Sequence, residues 1–472
     1  MLDARELNRF ADFVRSPFFH KHEPTRRLFE FIYARMPYEK AAADKEIYEY
    51  IFPNYEYEES KKYRIANVMS YLTDLLHRFL AQTAFEGTLT EKSCTIKAAQ
   101  ERKMSDLVTK NFKKMRKELE KKSDKGATDY YPFSSATENF FLTDTRTRKK
   151  KNTELLMESM RYLDYAYLIR KLRYFAELLS NQKILNIESD LPFLELILQA
   201  VAANRELYKP VTPIPAYYHV NMMILGRNET ENFAKLRRLL AENYHKLSEK
   251  DLSEIYIYCI NFSVMQYNLG DTNYLAHLLE LFKNAIAQQV AFVHKNLQST
   301  TYRNIINTAC RLRDFAFARE FLTDHKQYLP AAEQENAFNF NTGNIEYSEG
   351  NYEKALDFFR AVAFTDYSYA INTKSIQIRC LYELREYEYL LNFCESFRLF
   401  ILRNKQIAAY KKKPLFAFLK FLQKLLKLKT EAGFVSRKAF EKNAETLLTQ
   451  LTDPKQTLAN KEWLVEKTRE MV

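Results

Sequence analysis

The sequence predicts an all-α protein, and three observations carry that prediction. Only 7 glycines and 12 prolines occur among 472 residues, while 46% of the chain is hydrophobic. Folds built on tight hairpins or many parallel strands draw on far more glycine for their turns. Apolar residues recur at three- and four-residue steps through most of the chain, which is the spacing of one helix face. In the second half these patterns come in pairs. The aromatic residues that open the second member of each pair, Phe315, Tyr352 and Tyr387, stand 37 and 35 residues apart. A chain of this length exceeds what one hydrophobic core serves, so several domains or an elongated stack is expected. The patterns divide it into an N-terminal helical domain over 1–86, a stack of helix pairs over 87–405 (clearest over 250–400) and a basic helical cap over 406–472.

The N-terminal domain opens with one amphipathic face, Leu7, Phe10, Ala11 and Val14, which Ser16-Pro17 terminates. Glu23-Pro24-Thr25 starts a second helix with proline in its first turn, where the missing N–H has no intrahelical acceptor in any case. Asp44 is placed to cap a short third helix that Phe52-Pro53 ends. A longer fourth helix from about Glu58 carries Ile65, Val68, Leu72, Leu75, Leu76 and Phe79. The loop Ser16-Pro17-Phe18-Phe19 and the turn Phe52-Pro53 are similar to features of an uncharacterised bacterial family, and that resemblance implies a bacterial source and says nothing of activity.

From Thr90 to Lys125 the spacing predicts helix, with Met104, Leu107, Val108, Met115 and Leu119 inward and lysines and Arg116 on the opposite face. Gly126 breaks it, and an aromatic segment with Tyr130, Tyr131, Phe133, Phe140 and Phe141 follows. A basic run, Arg146, Arg148, Lys149, Lys150 and Lys151, leads into the next helix. There Leu163, Tyr167, Arg170 and Tyr174 share one face, and Tyr165, Leu168, Leu172 and Leu179 share another. Interleaved Arg and Tyr suit base stacking, and they equally suit helix packing with the hydroxyl at the rim. Lys209-Pro210 and Pro213-Ile214-Pro215 read as a rigid, irregular link and as the best candidate for an internal boundary.

After Ser248 the helical pairs become regular. Ile255–Leu269 and Tyr274–Phe282 flank Gly270-Asp271, and a second pair turns at Asp314-Phe315. The third pair, over 338–362, is the clearest. Gly350 stands where its first helix stops, a position that suits a left-handed C-terminal cap, and Tyr352, Ala355, Leu356, Phe359 and Val362 form one face of the second helix. Gly343, Gly350, Tyr352, Ala355 and Phe359 together resemble the hairpin of the tetratricopeptide-repeat family, whose units are about 34 residues long. Asn339 and Thr342 replace the family's usual Trp and Leu, so the repeats here are degenerate. The resemblance implies a right-handed solenoid whose first helices line a groove for a protein partner, with Asn341, Asn344 and Glu346 on that helix. In the C-terminal cap, Lys411-Lys412-Lys413-Pro414 precedes a helix with a broad apolar face from Leu415 to Leu426. The last helix is expected to begin at Asp453-Pro454 and to carry Trp463.

The formal net charge of +12 suits an anionic partner: RNA, DNA or an acidic protein. Five scattered cysteines without a CxxC pair read as reduced thiols of the cytoplasm. No run reaches the roughly 18 apolar residues of a membrane span. Seven dispersed glycines leave no phosphate loop, and HExxH and GxSxG are missing. His20-Lys21-His22-Glu23 is the one histidine cluster, and a metal there would need further ligands from elsewhere in the chain. No cofactor or catalytic residue is assigned. The reading is a non-enzymatic scaffold that binds a protein in its groove. The alternative is a nucleic-acid or ribosome-associated protein using Arg146, Arg148, Lys149–Lys151 and Lys411–Lys413. A third reading takes the helix from Leu415 as a membrane-surface or docking element.

Overall fold

The computed structural model describes residues 2–36, 42–143, 151–188, 190–363, 367–431, 434, 436–454 and 456–471. They form two compact units, one up to Ser248 and one from Glu249, described separately below. Both are helical. Among the described residues the only strands are a two-stranded hairpin, β1 (Phe292–Val293) and β2 (Asn296–Leu297).

The first unit begins with α1 (Ala4–Arg15), α2 (Glu23–Tyr33), α3 (Asp44–Ile51) and α4 (Tyr63–Phe85). A capping box starts α1: the Glu6 amide donates to Asp3 Oδ1 at 2.8 Å, and the Asp3 amide donates to Glu6 Oε2 at 3.0 Å. Phe10 meets Phe29 edge-on at 5.4 Å and Phe79 at 5.2 Å, so rings from three helices close this core. Next come α5 (Leu89–Glu101), α6 (Ser105–Lys121), α7 (Ala127–Thr143) and α8 (Lys151–Leu185). The unit ends with α9 (Leu194–Ala203), α10 (Arg205–Tyr208), α11 (Pro213–Ile224) and α12 (Glu229–Asn243).

Two local expectations change here. The helix expected over 90–125 is two helices, because Lys103 adopts φ 60° and turns the chain between α5 and α6. The turn resets the register, so Met104 and Leu107 face solvent while Val108, Met115 and Leu119 stay buried. Pro213-Ile214-Pro215 opens α11 rather than forming a link, and Val211, Pro213, Ile214 and Ala216 are buried.

The second unit comprises α13 (Glu249–Asn268), α14 (Tyr274–Ala287), α15 (Ser299–Arg311), α16 (Phe315–His325), α17 (Gln334–Glu349), α18 (Tyr352–Arg360), α19 (Tyr367–Glu383), α20 (Tyr387–Arg403), α21 (Ala409–Glu431), α22 (Arg437–Thr452) and α23 (Lys461–Arg469). Each helix from α13 to α20 packs on its partner in a pair, and α15, α17 and α19 also pack on one another in succession. One turn geometry joins four of these pairs. Gly270, Arg313, Gly350 and Arg385 all have positive φ. The amide after each donates to a carbonyl five residues back: Asp271 to Gln266 at 3.1 Å, Asp314 to Ala309 at 2.9 Å, Asn351 to Glu346 at 2.8 Å and Glu386 to Leu381 at 3.0 Å. These bonds satisfy carbonyls that a helix end otherwise leaves open.

Two further boundaries differ from the sequence reading. Helix α21 opens at Ala409, not at Pro414, so Lys411–Lys413 lie inside its first turns. The Pro414 carbonyl accepts from the Ala459 amide at 3.1 Å, tying α21 to the chain before α23. Asp453 ends α22, and α23 starts only at Lys461. Trp463 is buried there against Tyr382, with ring centroids 5.1 Å apart.

Candidate partner-binding groove

Helices α15, α17 and α19 each send one face into the core. The core of the α17–α23 region contains Phe340, Ala355, Phe359, Cys380, Phe397, Phe418 and Leu422, and Ala355 is fully buried. Faces of α15, α17 and α19 adjoining the core line a common groove of about 540 Å³, floored by the core residues Cys310, Phe340 and Ile376, with Leu415 of α21 and Ala459-Asn460 at its margin.

The groove is polar. Asn304, Asn307 and Arg311 of α15, Asn344 and Ser348 of α17, and Asn372, Ser375 and Arg379 of α19 line it, spaced so that one helix face presents them. Arg303 adds a third guanidinium, and among the described residues no carboxylate lines the groove. Asn344 Nδ2 donates to Asn307 Oδ1, joining two helices across the groove. The Asn307 Nδ2 donor and the Asn344 Oδ1 acceptor then have no other protein partner among the described residues, a complementary pair for one peptide unit.

Arg379 is the most confined of the cations. Its guanidinium lies 4.7 Å from the Tyr347 ring centroid, a cation–π arrangement that fixes the side chain. Its Nε is buried and without a hydrogen-bond partner. An orphaned charged donor of this kind carries a desolvation cost that an incoming acceptor would relieve. Burial pushes the Tyr347 hydroxyl up to about 12, so the ring beneath Arg379 stays neutral. Arg311 is held similarly, 5.1 Å from the Tyr267 ring.

At one margin the groove runs into a shallower pocket of about 380 Å³, with which it shares Ile371, Asn372, Leu415 and Ala459. Tyr367, Tyr410 and Pro414 wall it. Lys411 Nζ stands 5.6 Å and 5.9 Å from the Tyr367 and Tyr410 ring centroids and donates to the Tyr367 hydroxyl at 3.4 Å.

The residues singled out in the sequence are distributed as follows. Asn344 lines the groove and Lys411 lines its extension. Asn341 is buried, with Nδ2 donating to the Ala337 carbonyl at 2.7 Å. Glu346 is buried and accepts from Arg319 at 2.9 Å and from Asn351 at 2.9 Å. Lys412 Nζ donates to the Leu402 carbonyl at 3.1 Å, and Lys413 is exposed. Arg146, Arg148, Lys149 and Lys150 lie outside the described residues, as does the side chain of Lys151. Arg303, Asn307, Asn372 and Arg379 were not anticipated. A signal for two of them was present: Asn307, Asn344 and Arg379 stand 37 and 35 residues apart, the intervals of Phe315, Tyr352 and Tyr387.

Among the described residues, no group of three or more His, Cys, Asp and Glu side chains is placed to hold a metal. Among the same residues, no helix is long and apolar enough to cross a membrane. No protein-family model matches the chain, and no curated protein matches it.

Proposed function

We propose that the protein is a non-enzymatic scaffold whose second unit holds an extended, acidic segment of a partner protein in the groove of α15, α17 and α19. The observation that carries this reading is the lining itself: among the described residues, three guanidinium groups, a row of amides and no carboxylate. Arginine forks suit carboxylates bidentately, and asparagine amides suit a peptide backbone, so the set fits an acidic peptide better than a neutral one. The repeated turns and the matching 37- and 35-residue intervals support a degenerate tetratricopeptide-like stack of right-handed sense for this unit. On this reading the scaffold acts in the cytoplasm, where its scattered cysteines stay reduced.

The test uses the full chain and a set of labelled peptides of equal length, Asp/Glu-rich or neutral, followed by fluorescence anisotropy. Acidic peptides should bind with an affinity that falls as salt rises, and Arg379→Gln together with Asn344→Ala should abolish the preference. Equal binding of acidic and neutral peptides, or no effect of these substitutions, would remove the reading. A single-stranded RNA of mixed sequence serves as the comparison arm. Retention of RNA that is lost with the same substitutions would put the nucleic-acid alternative in its place.

A further inference from the structure

Helix α8 buries one face and leaves another uncovered. Leu168, Ile169, Leu172, Phe175, Ala176 and Leu179 are buried in the first unit. On the far side, Leu156, Met160, Leu163, Tyr167, Tyr174 and Leu178 are each between 38% and 58% exposed. They follow one another at three-, four- and seven-residue steps, so they form one stripe along roughly 33 Å of helix. Arg170 fills the remaining position of the stripe, its guanidinium 6.0 Å from the Tyr131 ring of α7. A run of large apolar groups this long is unusual on an exposed helix and marks an interaction surface.

We infer that this stripe pairs two copies of the chain, with their α8 helices antiparallel about a two-fold axis at Tyr167. The pattern is complementary to its own reverse. Antiparallel pairing about Tyr167 sets Met160 against Tyr174 of the second copy and Leu156 against its Leu178. It also stacks the two Tyr167 rings and lays Leu163 on the aliphatic stem of Arg170. The charges agree with this arrangement. Asp164 and Lys171 flank the stripe on the same edge, and neither has an ion-pair partner among the described residues. Lys171 Nζ stands 4.9 Å from the centroid of the buried Phe175 ring, and the same axis brings Asp164 of each copy opposite Lys171 of the other, which adds two intermolecular ion pairs. A parallel two-fold exchanges the edges of the stripe, so it sets Lys171 beside Arg170 of the second copy, which repels, and leaves Asp164 without a cation. A lipid surface is disfavoured by the carboxylate on the rim of the apolar face.

Sedimentation of the full chain over a range of micromolar concentrations should show a monomer–dimer equilibrium. Tyr167→Glu should weaken it by roughly tenfold or more, as expected for a central desolvated ring. Asp164→Lys should also weaken it, and Asp164→Lys with Lys171→Asp should restore it, which a merely structural effect would not do. In a Cys94→Ser background, Tyr167→Cys should oxidise to a covalent dimer and Leu156→Cys should not, because position 156 faces 178. A chain that stays monomeric overturns the inference, as does a dimer indifferent to Tyr167→Glu or linked equally well through position 156.

Discussion

Phe359 occupies the space that a side chain on Gly343 would need. A Cβ built at Gly343 stands 2.9 Å from Phe359 Cε1, 3.0 Å from Cζ and 3.1 Å from Cδ1. The ring is buried and meets Phe340 edge-on at 5.9 Å, so it has little room to retreat. Glycine inside α17 costs about 1 kcal/mol of helix propensity, and the close approach of α18 is what that cost secures. Gly343→Ala should therefore destabilise the second unit by about 1–2 kcal/mol despite the better helix former. Gly343→Ala with Phe359→Leu should lose less than the two single changes together. The chain's single tryptophan, Trp463, is buried in this unit. Its fluorescence in a urea titration reads the effect directly.

The repeated turns give a second prediction of opposite signs. Gly350, Arg313 and Arg385 share the left-handed conformation, with φ of 89°, 57° and 60°. A non-glycine residue pays roughly 1–2 kcal/mol there. Nothing lies within 4 Å of a Cβ at Gly350, so Gly350→Ala should cost about 1 kcal/mol through the backbone alone. Arg385→Gly should move the same urea midpoint upward by up to about 1 kcal/mol. Equal midpoints for both variants would show that turn conformation does not limit stability.

These turns also mark what the sequence made legible. Gly350 announced its turn because glycine is the residue that left-handed geometry favours. Arg313, Arg385 and Lys103 take the same geometry without announcing it, since tertiary packing of the flanking helices imposes it. Missing Lys103 joined α5 to α6 and turned Met104 and Leu107 the wrong way. Pairing of helices was legible after Ser248 because aromatics recur there at near-constant intervals. The groove was only partly so. A polar residue on a predicted helix faces either the groove or a neighbouring helix, and periodicity does not separate the two. Asn344 fell on the groove, while Glu346, two positions on, turned into the Arg319 ion pair. On α8 the spacing places Leu163, Tyr167, Arg170 and Tyr174 on one face, but whether that face is exposed depends on what α7 and α11 cover.

The Glu346 ion pair predicts a dependence on pH. Burial alone raises the Glu346 carboxyl, but hydrogen bonds from Arg319 and Asn351 outweigh it and hold the group below its ordinary value. A carboxyl whose pKa is lower in the folded state stabilises the fold above its unfolded value, near 4.3. That contribution is lost as pH falls through the lower, folded value. The Trp463 urea midpoint of the native chain should thus fall on acidification below about pH 5. Glu346→Gln, which cannot be protonated, should start lower at neutral pH and change less. Parallel curves for the two proteins would assign the acid sensitivity to other carboxylates.

Thiol chemistry supplies the last prediction, and it separates local from global opening of the second unit. Burial pushes the thiols of Cys310 up to about 11 and of Cys380 and Cys394 up to about 12. Cys259 is buried as well, whereas Cys94 is exposed. At pH 8 a disulfide reagent should therefore modify one thiol per chain quickly, because the thiolate is the reacting form and access limits the rest. Cys94→Ser should remove that fast phase entirely. The slow phase reports opening: Cys380 and Cys394 lie in the same core as Phe359. If they react only when that core opens, Gly343→Ala should accelerate their modification by the factor its urea midpoint implies, about tenfold for each 1.4 kcal/mol. Acceleration at Cys310 alone, which borders the groove, would instead mean that α15 and α17 separate without unfolding the helices behind them.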